Sequence, residues 1–286
     1  MTENMTLVTG ATGKTGSRVA ELLRERGLPV RAGSRSGEPR FDWTDRSTWG
    51  PALRDVSGVY LVYGPEVNSP GAAETISAFA QEAAGAGVRR VVLLSARSHR
   101  GPVGPLDRAF RAAERAVRGG GTEWTVLRPS WFQQNFSEAD FLRDPVIAGE
   151  LQLPTGDGRD AFIDVRDIAE VAVTALTEDG HAGQVYELTG PRLLSVGDVV
   201  AEIAGATGRD LRYVPVTPEE YAAALTGLGV PEDVVELLNE LFGHVRAGDL
   251  ETVTEDVRKV LGREPRDTAA YVRETAATGI WGGSPA

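Results

Sequence analysis

One stretch constrains this chain more than any other: Leu7-Val8-Thr9-Gly10-Ala11-Thr12-Gly13-Lys14-Thr15-Gly16-Ser17-Arg18-Val19. An apolar run enters a glycine-rich turn, and Val19, Leu22 and Leu23 then fall at helical spacing, which reads as strand, phosphate loop and helix. Gly10 allows a tight turn, Gly13 lets a pyrophosphate approach the backbone where a Cβ would otherwise stand, and Gly16 lets helix and strand pack closely. The free N–H groups of the new helix then face the anion, with Thr12, Lys14 and Thr15 expected beside it. Two other readings compete. Gly13-Lys14-Thr15 mimics the end of a Walker A loop, but that motif needs a glycine five residues before Gly13, where Val8 stands, and it is discarded. The other is a glycine turn with no ligand; its place at the head of an alternating strand and helix pattern argues against it.

The GxxGxxG spacing favours the short-chain dehydrogenase variety of Rossmann fold. A second strand is expected at 29–34, a very short third before Phe41-Asp42-Trp43, a fourth at 58–62, a fifth at 90–95 and a sixth at 124–128, with helices at 72–85 and 109–118. This predicts an α/β fold with a doubly wound parallel sheet over 1–149, completed by return elements in 161–190, whose ligands sit outside the carboxyl ends of the strands. Beyond residue 150 the alternation loosens. Helical patterns at 195–207, 218–225, 231–246 and 254–261 predict a smaller, mostly helical C-terminal lobe over 191–286, set against the cleft to bind substrate.

The cofactor preference is read from the end of the second strand. NAD-preferring folds place an acidic residue there to accept from the ribose, whereas this chain has Ser34-Arg35-Ser36. An arginine suits a 2′-phosphate, and a charge-assisted bond of about 1.5–3 kcal/mol gives roughly ten- to hundredfold preference for NADP(H) over NAD(H). A solvated loop arginine is the alternative. Asp42 stands where this fold commonly meets the adenine, while Tyr63, Ser95, Pro129 and Ser130 leave the carboxyl ends of later strands and are expected to line the rest of the cofactor site.

Composition removes several classes of function. There are no cysteines, which excludes disulfides, thiolate metal sites, Fe–S clusters and cysteine nucleophiles. His99, His181 and His244 lie far apart, so no metal site is expected. A net charge of −11 argues against nucleic acid as a partner. With no long apolar stretch or basic signal sequence, the expectation is a soluble cytoplasmic protein without a membrane partner, monomer or homodimer, acting on a small molecule. Asp157, Asp160, Asp164 and Asp167 form an acidic cluster that reads either as a cation site or as turn residues with Asp164 or Asp167 capping a helix; the second is favoured.

Gly10-Ala11-Thr12-Gly13-Lys14-Thr15-Gly16, Phe41-Asp42-Trp43, Leu94-Ser95, Leu127-Arg128-Pro129-Ser130-Trp131-Phe132, Phe162-Ile163-Asp164-Val165-Arg166-Asp167-Ile168-Ala169 and Leu261-Gly262-Arg263-Glu264-Pro265 together resemble the NmrA-like atypical short-chain dehydrogenases. Within that group the chain is similar to the branch of fungal ergot-alkaloid reductases and bacterial relatives. The resemblance implies an NADP(H)-binding Rossmann fold and reduction of a cyclic iminium or unsaturated aldehyde in secondary metabolism. The same superfamily holds NADP-sensing regulators that catalyse nothing. Ordinary short-chain dehydrogenases carry a Tyr-x-x-x-Lys pair, but here Gly64 and Val67 stand four residues after Tyr60 and Tyr63, and the only lysines are Lys14 and Lys259. The lysine used by isoflavone-reductase-like relatives is missing too, its region holding Phe110, Arg111 and Ala112.

Without that proton donor, hydride transfer still suits electrophiles that carry positive charge or delocalise electrons: iminium ions, quinones and extended enones. Where a proton is needed, Ser95 and His99 after the fifth strand, with Tyr63 across the cleft, are the catalytic candidates, although His99 also reads as an exposed loop residue. Trp131, Phe132 and Phe136 are either the walls of a substrate pocket or core, and Arg128 is expected to brace the loop beneath the nicotinamide. The expected function is an NADPH-dependent oxidoreductase that reduces a medium-sized, partly aromatic small molecule. The alternatives are a catalytically silent NADP-binding sensor of the NmrA type and, more weakly, an isomerase or cyclase.

Overall fold

The apolar run before the glycine turn forms a strand whose Leu7 and Val8 enter separate cores on opposite faces of one sheet. The structure, a computed structural model, describes residues 5–65, 67–97 and 104–282. Its first half alternates: β1 (Met5–Thr9), α1 (Lys14–Glu25), β2 (Val30–Gly33), α2 (Trp49–Leu53), β3 (Val56–Leu61), α3 (Ala72–Gly85), β4 (Arg90–Leu94), α4 (Pro105–Arg118) and β5 (Glu123–Pro129). There follow α5 (Asn135–Glu138), α6 (Asp140–Ala148), β6 (Glu150–Leu153), β7 (Arg159–Asp160), α7 (Val165–Thr177) and β8 (Gln184–Leu188). The chain continues through β9 (Leu194–Ser195), α8 (Val196–Thr207), β10 (Arg212–Pro215), α9 (Pro218–Gly227), α10 (Glu232–Arg246), α11 (Asp256–Leu261) and α12 (Thr268–Ala276).

Six strands pair in the order β2-β1-β3-β4-β5-β8, every pair parallel. A parallel sheet needs cover on both faces, and the strands carry it in their sequence. Val8, Tyr60, Val92 and Leu127 face α1 and α7, whereas Leu7, Val59, Leu61, Val91, Leu93 and Val126 face α3 and α4. The strand order reverses at β1, which has β2 on one side and β3 on the other, so a ligand crevice opens at the carboxyl ends of β1 and β3.

The doubly wound parallel sheet is as expected, with one strand fewer. No third strand forms before Phe41-Asp42-Trp43. The Asp42 carboxylate accepts from Thr44 N (3.0 Å) and Oγ1 (2.8 Å), an Asx turn that takes this backbone away from any ladder, and Phe41 and Trp43 pack edge-on with ring centroids 5.0 Å apart. The return elements expected in 161–190 include β8, which pairs with β5 and completes the six strands. Helix α4 also begins four residues before the expected 109, at Pro105, whose missing N–H suits a first helical position. Sequence patterning gave no sign of α5, α6, α12, β6 or β10; β6 and β10 pair in parallel outside the main sheet. A third core, built from Phe136, Phe162, Val199, Ile203, Phe242, Tyr271 and Trp281, joins α5, α8, α10 and α12 beside the sheet.

Candidate active site

The turn after β1 shows why its glycines stand where they do. Gly10 adopts φ +64°, open to glycine at little cost, and its carbonyl accepts from Gly13 N at 2.9 Å. A Cβ on Gly16 would lie 2.2 Å from that same carbonyl oxygen, so the first turn of α1 can rest on the loop only without a side chain there. Helix α1 starts with Gly13 as N-cap, no capping side chain and no acidic residue in its first turn, leaving its N–H groups and dipole directed at an anion. Thr9 fastens the crevice: its Oγ1 accepts from Val62 N (2.7 Å) and donates to the carbonyls of Val62 (3.0 Å) and Tyr60 (3.2 Å), tying the ends of β1 and β3. Thr12 and Gly13 are exposed, while Thr15 is buried.

At the end of β2, Ser34 O accepts from Gly37 N (3.1 Å) and Phe41 N (2.9 Å), which turns the chain and leaves Arg35 and Ser36 on the surface. The Arg35 side chain forms no hydrogen bond or ion pair with any described residue. Asp42 differs. Hydrogen bonds from the Thr44 backbone and hydroxyl, helped by Arg40 (2.6 Å), hold its carboxyl below the usual carboxylate range, so that group is already engaged in its own turn. These features fit a dinucleotide: a cradle that a Cβ would fill, an uncapped helix start, and a lone guanidinium beside it.

A cleft of about 580 Å³ runs from the glycine turn across the carboxyl ends of β3, β4 and β5 to α10. Lys14, Tyr63, Ser95, Pro129, Ser130, Trp131 and Phe132 all line it, as do Leu238, Leu241 and His244 of α10. Phe136 does not, and its reading as a pocket wall is corrected. It is 1% exposed, meets Phe162 edge-on at 5.6 Å, and its carbonyl accepts from Trp281 Nε1 at 2.7 Å, which makes it core. Phe132 lines the cleft on one side and packs on the sheet core with the other. Trp131 stacks on Phe242 at 5.2 Å, joining the cleft wall to α10. His99 lies outside the described residues.

Ser95 is buried, and its hydroxyl donates to Glu114 Oε1 at 2.8 Å. Its only proton is thereby directed at a carboxylate and away from the cleft. Ser130 likewise donates to the Ala161 carbonyl. Glu114, on the inner face of α4, also pairs with Arg111, Arg118 and Arg128. Burial works against its charge, but the hydrogen bonds from Arg128 and Ser95 and the charge of Arg111 hold its carboxyl below the usual range. Arg128 thus braces the end of β5, and Arg111 reaches Ala96 O at 2.7 Å.

The acidic cluster dissolves into separate partnerships. Asp164 caps α7, accepting from Arg166 N at 2.8 Å, and Asp167 pairs with Arg263 and Arg266. Asp160, fully buried, accepts from Trp131 N (3.1 Å) and Ala161 N (2.7 Å), with Arg97 Nη1 at 3.4 Å. Desolvation pushes its carboxyl up to about 6 despite that guanidinium. Arg97 lines the cleft and also reaches Leu250 O (3.2 Å) and Thr252 Oγ1 (2.8 Å). Among the described residues no group of three or more His, Asp or Glu is arranged to hold a metal, and no helix is long and apolar enough to cross a membrane. The sequence pattern does not reveal Glu114, Arg97, the bond from Trp131 N to Asp160, or the place of His244 in the cleft lining. Glu114 left one trace, an acid on the face of α4 that also carries Ala113 and Val117.

Comparison with known proteins agrees with this geometry. A family model described as NAD(P)H-binding matches residues 10–179. The NAD(P)H azoreductase of Xenophilus azovorans is 35% identical over 96% of this chain and 98% of its own length. The agroclavine dehydrogenase of Claviceps fusiformis is 36% identical over 94% and 96%. Among solved structures, the Citrobacter sp. triphenylmethane reductase complexed with NADP(H) superposes with a TM-score of 0.76 at 21% identity, covering 95% of this chain and 99% of that one, a likeness of fold. The glycine cradle, the parallel sheet and these relatives agree that this chain belongs to the NAD(P)H-binding family of oxidoreductases.

Proposed function

We propose that this chain is an NADPH-dependent reductase of a medium-sized, partly aromatic acceptor, an iminium, quinone or conjugated carbonyl. One observation carries the reading: a single, largely apolar cleft begins at Lys14 beside the glycine cradle and ends at Trp131, Leu238 and Leu241. In this reading 1–149 with 161–190 hold the cofactor and 191–286 closes over the acceptor. When bound, a reduced nicotinamide supplies hydride. The chain's own residues orient the reactants and exclude water. The amides from Thr12 to Thr15 hold the pyrophosphate, Arg35 meets the 2′-phosphate, the backbone about Asp42 meets the adenine, and Tyr63, Ser95, Pro129 and Ser130 border the nicotinamide. Trp131 and Phe132 present flat surfaces to the acceptor. Similarity to an NAD(P)H azoreductase and to an agroclavine dehydrogenase supports a small-molecule acceptor.

The test is loss of NADPH absorbance with 1,4-naphthoquinone, an azo dye and a cyclic iminium, each repeated with NADH. Turnover of at least one, with NADPH preferred, is expected. Tight cofactor binding with no turnover of any acceptor would replace this reading with that of a silent sensor.

A further inference from the structure

Helix α10 forms one wall of the cleft and is fastened on both of its flanks. At about 100° per residue, the order around its axis is Phe242, Leu238, Leu241, His244 and Glu240. The middle of that arc, Leu238, Leu241 and His244, lines the cleft. On one flank Phe242 stacks on Trp131, just beyond β5. On the other, Glu240 crosses to α4, where its Oε1 accepts from Leu106 N at 3.4 Å. Helix α4 leaves room for that carboxylate. Its N-cap, Gly104, has no side chain to offer the free N–H groups of the first turn, and Pro105 follows as the first helical residue. A Cβ on Gly104 would lie 2.2 Å from Glu240 Oε1 and 3.3 Å from its Cδ, so Glu240 fills the space a capping side chain would take. The positive end of the helix dipole favours a carboxylate there. Leu106 and Phe110, one turn apart on α4, line the cleft across from the α10 leucines.

From this geometry we infer that Glu240 is a positioning residue of the reductase, an assignment that rests on the reductase reading. It ties α10 to the start of α4 and so sets the gap between Leu106 and Phe110 on one side and Leu238 and Leu241 on the other. A flat acceptor that fills this gap is held still and dry for hydride transfer, whereas a wider one enters only when the tie parts. Glu240 thereby selects acceptors by size, acting through the leucines beside it.

The experiment uses the full chain with NADPH and two quinones of different width, the two-ring 1,4-naphthoquinone and the three-ring 1,4-anthraquinone. Wild type is compared with Glu240→Gln, Glu240→Ala, Gly104→Ala and the double variant Glu240→Ala with Gly104→Ala. Glutamine keeps an oxygen for Leu106 N and should behave as wild type. The methyl of Gly104→Ala meets only the far end of a flexible side chain, so the protein folds and Glu240 gives way. Each single Ala variant should raise KM for 1,4-naphthoquinone roughly tenfold, the scale of one hydrogen bond to a charged group, with kcat and NADPH affinity within about twofold of wild type. The three-ring quinone should lose less, so selectivity shifts toward it several-fold. The double variant should be no worse than either single one, because both remove the same contact. Without cofactor or acceptor, amide hydrogen exchange in α10 should quicken in both single Ala variants and stay unchanged in Glu240→Gln. Wild-type KM and selectivity in Glu240→Ala, additive losses in the double variant, or unmoved α10 exchange each overturn the role of Glu240 while the reductase reading stands. No turnover by wild type with any acceptor overturns both.

Discussion

Arg128 grips Glu114 with two parallel hydrogen bonds, Nε to Oε1 at 2.9 Å and Nη2 to Oε2 at 2.7 Å. The pair spans α4 and β5 directly below the cleft, and Ser95 closes the network from the end of β4. Three elements that carry the cleft floor are therefore fixed by one carboxylate. A fork of this kind is both strong and directional.

Removing Glu114 should cost far more than removing any single donor. Glu114→Ala leaves the guanidiniums of Arg111 and Arg128 partly buried and short of a counter-charge, and about 3–5 kcal/mol is expected. Ser95→Ala deletes one hydrogen bond and should cost about 1 kcal/mol with activity kept within a few-fold. Urea unfolding of both variants measures the difference; equal costs would show that Ser95, not the charge cluster, anchors the floor.

Gly13 and Gly16 should separate in their effects. A Cβ at Gly16 would meet the Gly10 carbonyl at 2.2 Å, against 3.3 Å at Gly13. Gly16→Ala must displace α1 from the loop, and it is expected to abolish NADPH binding and lower Tm. Gly13→Ala should leave Tm nearly unchanged and weaken NADPH through its methyl at the exposed face. Fluorescence titration together with thermal melting reads both.

Arg35→Asp tests cofactor choice with little risk to folding, since the side chain is exposed and makes no bond to a described residue. Losing one charge-assisted bond of about 1.5–3 kcal/mol should weaken NADPH roughly ten- to hundredfold and leave NADH almost untouched. Equal loss for both would remove Arg35 from the 2′-phosphate site.

These contrasts also show which parts of the molecule a sequence can carry. Gly16 was legible because close backbone approach demands a missing side chain, and that demand is written at one position. Strands β1 and β3 to β5 were legible because burial on both faces requires continuous apolar runs. The short strand expected before Phe41 failed where a side chain, Asp42, captured the backbone through Thr44. Glu114 and Arg128 are 14 residues apart, and Arg97 and Asp160 are 63 apart. No local pattern links such pairs, because only the tertiary fold brings them together. Strand β10 was hidden for the same reason, its partner β6 lying far back in the chain. Phe136 and Trp131 look alike in sequence, and only packing separates core from cleft wall.

Asp160 gives the protein a pH signature of unusual sign. Its folded value, about 6, lies above that of an exposed aspartate, so the folded state holds this proton more tightly than the unfolded chain. The contribution is fully present below the unfolded value near 4 and is lost as pH rises through 6, by roughly 2–3 kcal/mol. Carboxyls held low, such as Glu114 and Asp164, act oppositely: their contribution is present above the unfolded value and lost as pH falls through the lower folded one. Asp160→Asn should therefore flatten the change in unfolding free energy between pH 4 and 6 and leave the acid limb below pH 4 in place. Denaturant midpoints at a series of pH values decide it; an unchanged slope between 4 and 6 would mean that Asp160 is already ionised there.

Trp131 serves the cleft and the fold together, and two substitutions should separate those roles. Trp131 lines the cleft, while its ring stacks on Phe242 at 5.2 Å, and Phe242 meets Tyr221 edge-on at 5.6 Å. The stack ties the end of β5 to α10, the helix that brings Leu238, Leu241 and His244 to the cleft. Trp131→Ala removes the wall and the tie at once, so about 3 kcal/mol of stability should be lost and α10 should loosen. Trp131→Phe keeps an aromatic face for Phe242 and withdraws only the larger ring from the cleft. It is expected to melt within a few degrees of wild type, bind NADPH equally well, and raise KM for a flat aromatic acceptor several-fold with kcat little changed. A Phe variant with wild-type KM would confine Trp131 to holding α10 in place, and the acceptor would then be gripped by Phe132 and the α10 leucines.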